Sequence, residues 1–145
     1  MQSRHREICA ALMIEADDDF KAAETLMKAG FHSKTVYYCQ QTVEKALKAA
    51  LAMNGITITD EHMVSGHFNL LFSRFNQLKG VVENAETLEA QGSKPRYPIF
   101  GDPVNEIWIP SQKYKGADCQ KAIKTARFVL EKITAFLKEK YGVKA

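Results

Sequence analysis

The chain has 145 residues, 46% hydrophobic and 26% charged, with a formal net charge of +3. That length suits one domain able to bury about two-thirds of its unfolded surface without disulfides or metal, and the near-average composition argues against disorder. No apolar run approaches the roughly 20 residues of a membrane span, no apolar stretch follows the basic start Arg4-His5-Arg6 as in a secretory signal, and the mild charge permits an anionic ligand without announcing a nucleic-acid binder.

The first predicted helix covers residues 4–28, with Ile8, Leu12, Ala16, Phe20, Ala23 and Met27 on one apolar stripe and Gly30 as its C-terminal cap. A second, over residues 33–53, places Val36, Cys39, Val43, Leu47 and Ala50 on its core face and stops at Asn54-Gly55. The short alternation Ile56-Thr57-Ile58-Thr59 is too brief for a strand. A third helix is expected through Phe68, Leu71, Phe72, Phe75 and Leu78, with Gly66 ahead of it and Gly80 behind, and a further short one over residues 81–89. The last helix is the clearest: Cys119, Ile123, Ala126, Leu130, Ile133 and Leu137 repeat at spacings of four and three, a seam suited to near-antiparallel packing. Lys138, Lys140 and Lys144 near its end suit the helix dipole. All four prolines (Pro95, Pro98, Pro103, Pro110) fall in one segment, together with Tyr97, Ile99, Phe100, Ile107, Trp108 and Ile109. Such a long loop is uncommon in a compact domain, and its apolar content predicts that it packs across the bundle. The fold class is all-α: an up-and-down bundle of four to five helices with a long proline-rich loop before the last.

The three cysteines (Cys9, Cys39, Cys119) form no CxxC pair, and each lies in an apolar helical pattern. They read as buried thiols, with no disulfides and no metal site, in a reducing cytoplasm. On the second helix, Tyr37, Gln41, Glu44 and Lys48 line up beside the apolar stripe, with Glu44 and Lys48 spaced to pair. Gln40 falls inside that stripe and needs a partner on another helix or on the proline-rich loop. Of Asp17-Asp18-Asp19, consecutive residues point apart and cannot share a metal. Asp17 and Asp18 read as solvated, and Asp19 faces inward toward Lys48 or Arg96. The Arg96 guanidinium suits a phosphate or carboxylate; its plainer role is an ion pair with Glu44 or Asp19. Tyr97 can stack on a base or plug the core, and His67 stands at a helix start, where a histidine is commonly structural.

The run Thr35-Val-Tyr-Tyr-Cys-Gln-Gln-Thr-Val-Glu-Lys-Ala-Leu-Lys48 resembles a helix of HEPN domains. Ala16 to Ala23, Gly30-Phe31, Gly66-His67 to Leu71, Arg96-Tyr97-Pro98 and the closing helix from Ala122 to Leu137 are similar to other motifs of that family, in the same order. The resemblance implies a homodimeric helical module, commonly encoded beside a minimal nucleotidyltransferase and proposed to bind nucleotides or assist that enzyme. The buried-looking Gln40, the charged edge of the second helix and the arginine-bearing loop then point to a small pocket for a nucleotide or another anionic ligand, formed by Gln40, Gln41, Glu44, Lys48, His67, Arg96 and Tyr97, with no catalytic residue and no cofactor. Other HEPN proteins are metal-independent ribonucleases, often toxins, with an Arg followed four to six residues later by a His. None of His5, His32, His62 and His67 has an arginine at that spacing. The alternatives are therefore a ribonuclease or toxin in which folding brings His67 and Arg96 together, and a structural interaction module without ligand.

Overall fold

A computed structural model describes residues 2–57, 60 and 62–144. It contains α1 (Gln2–Lys28), α2 (His32–Ala52), α3 (Ser65–Phe72), a 3-10 turn at Asn76–Leu78, α4 (Val81–Glu89), α5 (Pro110–Lys113) and α6 (Gly116–Tyr141). No strand occurs among the described residues, only an isolated antiparallel bridge between Ile99 and Trp108. The architecture is the expected all-helical bundle, with the one-turn α5 beyond the expected number. Of the short Ile56–Thr59 alternation, Ile58 and Thr59 lie outside the described residues.

The core is built around α2. Val36, Cys39, Val43, Leu47 and Ala50, the face read from periodicity, are all buried. So is every residue from Ala46 to Ala52, including four alanines. Small side chains all round let α1 and α6 close on α2 from different sides. The α1 stripe is buried from Cys9 through Met13, Ala16 and Phe20 to Ala23, with Ile8, Leu12 and Met27 half-buried. Each residue of the α6 seam is buried, so that seam serves the core of this chain. Gly30 ends α1 in the left-handed region (φ +86°), where glycine avoids the Cβ penalty.

The third predicted helix is broken. Gly66 lies inside α3, which stops at Phe72; Phe75 is extended (φ −87°, ψ 114°) and a 3-10 turn follows. Phe68 and Phe72 stack at 4.8 Å within α3, and the break lets Phe75 (5.0 Å) join Phe72 (5.7 Å) against the Phe136 ring of α6. Aromatic packing here wins over helix continuity.

The proline-rich segment also departs from expectation. It does not pack across the bundle: Tyr97, Phe100, Val104 and Ile107 are each at least half exposed, Val104 to 89%. The segment stands out as a flap whose arms exchange the backbone hydrogen bonds of Ile99 and Trp108, both 3.0 Å. Its tip is turned by Asp102, whose carboxylate accepts the Val104 N–H at 2.8 Å. Trp108 anchors the base, donating Nε1–H to the Lys94 carbonyl (2.8 Å) and meeting Tyr114 edge-to-face. Of its apolar residues only Trp108, Pro95 and Pro110 are buried or half-buried, while Tyr97, Ile99, Phe100, Val104, Ile107 and Ile109 are exposed.

Cys9, Cys39 and Cys119 are buried and free. Burial pushes the Cys9 thiol up to about 11, against a smaller opposing pull from Arg6, and that of Cys39 up to about 12; Cys119 moves the same way. All three are held as thiols and are poor nucleophiles. No helix among the described residues is long and apolar enough to cross a membrane.

Candidate functional site

The polar edge of α2 faces α4 and the turn that follows it. Gln40, the amide inside the apolar stripe, finds its partners there: Nε2–H donates to the carbonyls of Leu88 and Gly92, each at 3.0 Å. The Leu88 carbonyl, at the end of α4, also accepts the Gln91 N–H at 3.1 Å, and Gly92 lies in the turn beyond. Gln40 thus ties α2 to α4 and holds the turn that carries Arg96. In α4, Glu89 accepts hydrogen bonds from the Ser65 backbone N–H (3.0 Å) and hydroxyl, so its carboxylate caps the start of α3.

Glu44 and Lys48 pair as their spacing predicts, at 3.1 Å, with side-chain exposures of 13% and 7%. The second Glu44 oxygen lies 3.0 Å from His62 Nδ1. Asp19 is buried as expected, but it pairs with Lys45 rather than Lys48 or Arg96. Asp17 and Asp18 are exposed, Asp17 pairing with Lys21 at 3.0 Å.

With Glu44 held by Lys48 and His62, and Asp19 by Lys45, neither carboxylate expected to pair with Arg96 does so. The guanidinium sits between two rings, 5.4 Å from the Tyr37 centroid and 5.7 Å from that of Tyr97. Its Nε is buried and has no hydrogen-bond partner among the described residues. An unsatisfied buried donor costs about 1–3 kcal/mol, more when charged.

Arg96 separates two depressions. On one side, a cleft of about 210 Å³ between α2 and α4 is lined by Gln40, Gln41, Glu44, His62, Glu89 and Arg96, among others. On the other, a more open groove of about 490 Å³ is lined by Leu26, Lys34, Tyr37, Tyr38, Arg96 and Tyr97. The folded chain therefore brings Gln40, Gln41, Glu44 and Arg96 together. Lys48 is buried behind Glu44 and does not line the cleft, Tyr97 is 60% exposed on the far side of Arg96, and His67 is exposed on α3 and lines neither depression. The histidine in the cleft is His62, which sequence reasoning missed because its segment shows no periodicity. Glu89 was missed for a related reason: its partner Ser65 is 24 residues away.

Comparison with known proteins agrees with this architecture. The HEPN domain family matches residues 10–139. Putative toxin MJ1304 of Methanocaldococcus jannaschii is 41% identical over 138 residues, covering 89% of this chain and 88% of that protein. Two crystal structures share the fold at 20% identity: ST0689, an archaeal HEPN homologue (TM-score 0.66, 90% of this chain and 98% of that one), and TT1696 from Thermus thermophilus (TM-score 0.71, 92% and 97%). A family match over nearly the whole chain, with a relative of this identity aligned over most of both lengths, establishes that the chain belongs to the HEPN domain family.

Proposed function

We propose that this HEPN module binds a nucleotide or another anionic ligand at Arg96 and, as a homodimer, assists a separate nucleotidyltransferase chain. The observation that carries the ligand reading is the Arg96 guanidinium, which pairs with neither expected carboxylate and lines two depressions, one of them ligand-sized. Arginine's planar fork suits a phosphate, and the two carboxylates in the adjoining cleft are already engaged, Glu44 by Lys48 and Glu89 by Ser65. Arg96→Ala is expected to abolish nucleotide-induced thermal stabilisation. A ligand at a hundred times its dissociation constant adds about 2.7 kcal/mol, an easily measured shift; equal shifts in wild type and variant remove Arg96 from the site.

The homodimer reading is supported by the exposed apolar side chains of the flap, since monomers rarely leave a large apolar patch open. Phe100→Asp combined with Val104→Asp is expected to convert a dimer to a monomer in light scattering; a monomeric wild type ends the proposal. The partner enzyme rests on the family resemblance, and co-elution of a purified minimal nucleotidyltransferase with the dimer is its readout.

The archaeal relative's name favours a second reading, a toxin acting as a metal-independent ribonuclease. Here the histidine available beside Arg96 is His62, not His67. This reading expects RNA cleavage in EDTA that is lost in His62→Ala and retained in His67→Ala; cleavage persisting in both variants sinks it.

A further inference from the structure

We infer that the tyrosine groove, rather than the α2–α4 cleft, holds the base of a nucleoside phosphate, with Lys34 and Arg96 taking its phosphate. The inference rests on the nucleotide reading above and assigns the ligand's orientation. The groove's lining is half aromatic, carries two cations and includes no carboxylate: Leu26 from α1, Lys34, Tyr37 and Tyr38 from α2, and Arg96 and Tyr97 from the turn. The cleft, by contrast, is lined by two carboxylates, Glu44 and Glu89. Their charge opposes a phosphate wherever their own partners leave it uncancelled. The groove's volume of about 490 Å³ falls within the roughly 300–1,000 Å³ typical of small-molecule sites.

The rings are arranged for stacking. Tyr37 and Tyr38 meet at 5.2 Å and 66°, so they present differently oriented faces. Tyr97 leaves 60% of its surface exposed, although its neighbour Arg96 is half-buried. The guanidinium lies against both Tyr37 and Tyr97, held by cation–π attraction. Those contacts use its face; the terminal Nη groups, not the buried Nε, are the donors left for a phosphate. An aromatic anion matches this combination of ring faces and flanking cations; a simple anion uses only the cations, and an apolar ligand uses only the rings.

The test is calorimetric titration of the full chain with AMP, ribose 5-phosphate and inorganic phosphate. Wild type is expected to bind AMP about tenfold or more tightly than ribose 5-phosphate, the range that one stacked base contributes. Tyr97→Leu, a substitution at an exposed position, and Tyr37→Leu are each expected to shrink that preference by weakening AMP more than ribose 5-phosphate, whose affinity falls only as far as the rings steady Arg96. Lys34→Ala is expected to weaken both ligands by a similar factor. Equal affinity for AMP and ribose 5-phosphate in wild type, with both weakened by Arg96→Ala, overturns the base site and leaves the anion site standing. A preference that survives both tyrosine variants but disappears in Gln41→Leu moves the base to the cleft and also overturns it. No binding of any of the three ligands overturns the nucleotide reading, and the base site with it.

Discussion

Phe136→Ala is expected to cost about 3–5 kcal/mol of stability, a fall in melting temperature of roughly 10–15 °C for a chain of this size. Phe136 is 1% exposed and is the ring on which three others converge: Phe72 at 5.7 Å, Phe75 at 5.0 Å and Tyr141 at 6.1 Å. Truncation removes a whole buried ring and strips edge-to-face partners, each worth about 0.5–1.5 kcal/mol beyond area burial. Phe136→Leu retains most of the volume and is expected to lose markedly less. Chemical denaturation of the two variants checks the ordering; equal losses would mean that shape at this site matters less than argued.

Glu44→Ala is the second large expected effect. An exposed pair at this helical spacing contributes only about 0.3–0.5 kcal/mol, but Lys48 and Glu44 retain 7% and 13% side-chain exposure. Removing the carboxylate strands a buried ammonium, which costs about 3–5 kcal/mol. The double substitution Glu44→Leu with Lys48→Met removes both charges and is expected to recover most of the loss, since apolar replacement of a buried pair is often neutral. A Glu44→Ala loss below about 1 kcal/mol, within the range of exposed pairs, would show that Lys48 reaches solvent and that the pair is weak.

Helix identity was legible in the sequence wherever one apolar stripe ran long enough. The six-residue seam of α6 and the face of α2 from Val36 to Ala50 were read correctly because period and burial coincide there. Phe75 fits the same period yet lies outside α3, because its packing against Phe136 depends on a residue 61 positions away that no local pattern reports. The flap failed for the opposite reason: Phe100, Val104 and Ile107 are apolar, and composition alone cannot say which side of a loop faces the bundle. Gln40 was the most informative single site residue. An amide within an apolar arc required a buried partner, and the end of α4 supplies it. The carboxylates expected to pair with Arg96 are taken by Lys45, Lys48 and His62, a competition visible only in three dimensions.

The flap's attachment sets a division of labour in folding free energy. Its arms are joined by the Ile99–Trp108 hydrogen-bond pair and few buried side chains, so detaching it exposes little apolar surface. The bundle hides its core on α2, with the flap in contact only at its base, through Arg96 against Tyr37 and the half-buried Trp108. Local opening of the flap therefore lies near the low end of the opening-energy ladder, well below global unfolding. Amides at its tip exchange with solvent while those of α2 stay protected, and a partner that orders the flap spends part of its binding energy on lost backbone entropy. Substitutions there are expected to change the melting temperature of the bundle little, so the flap is free to diverge faster than the helices that carry it.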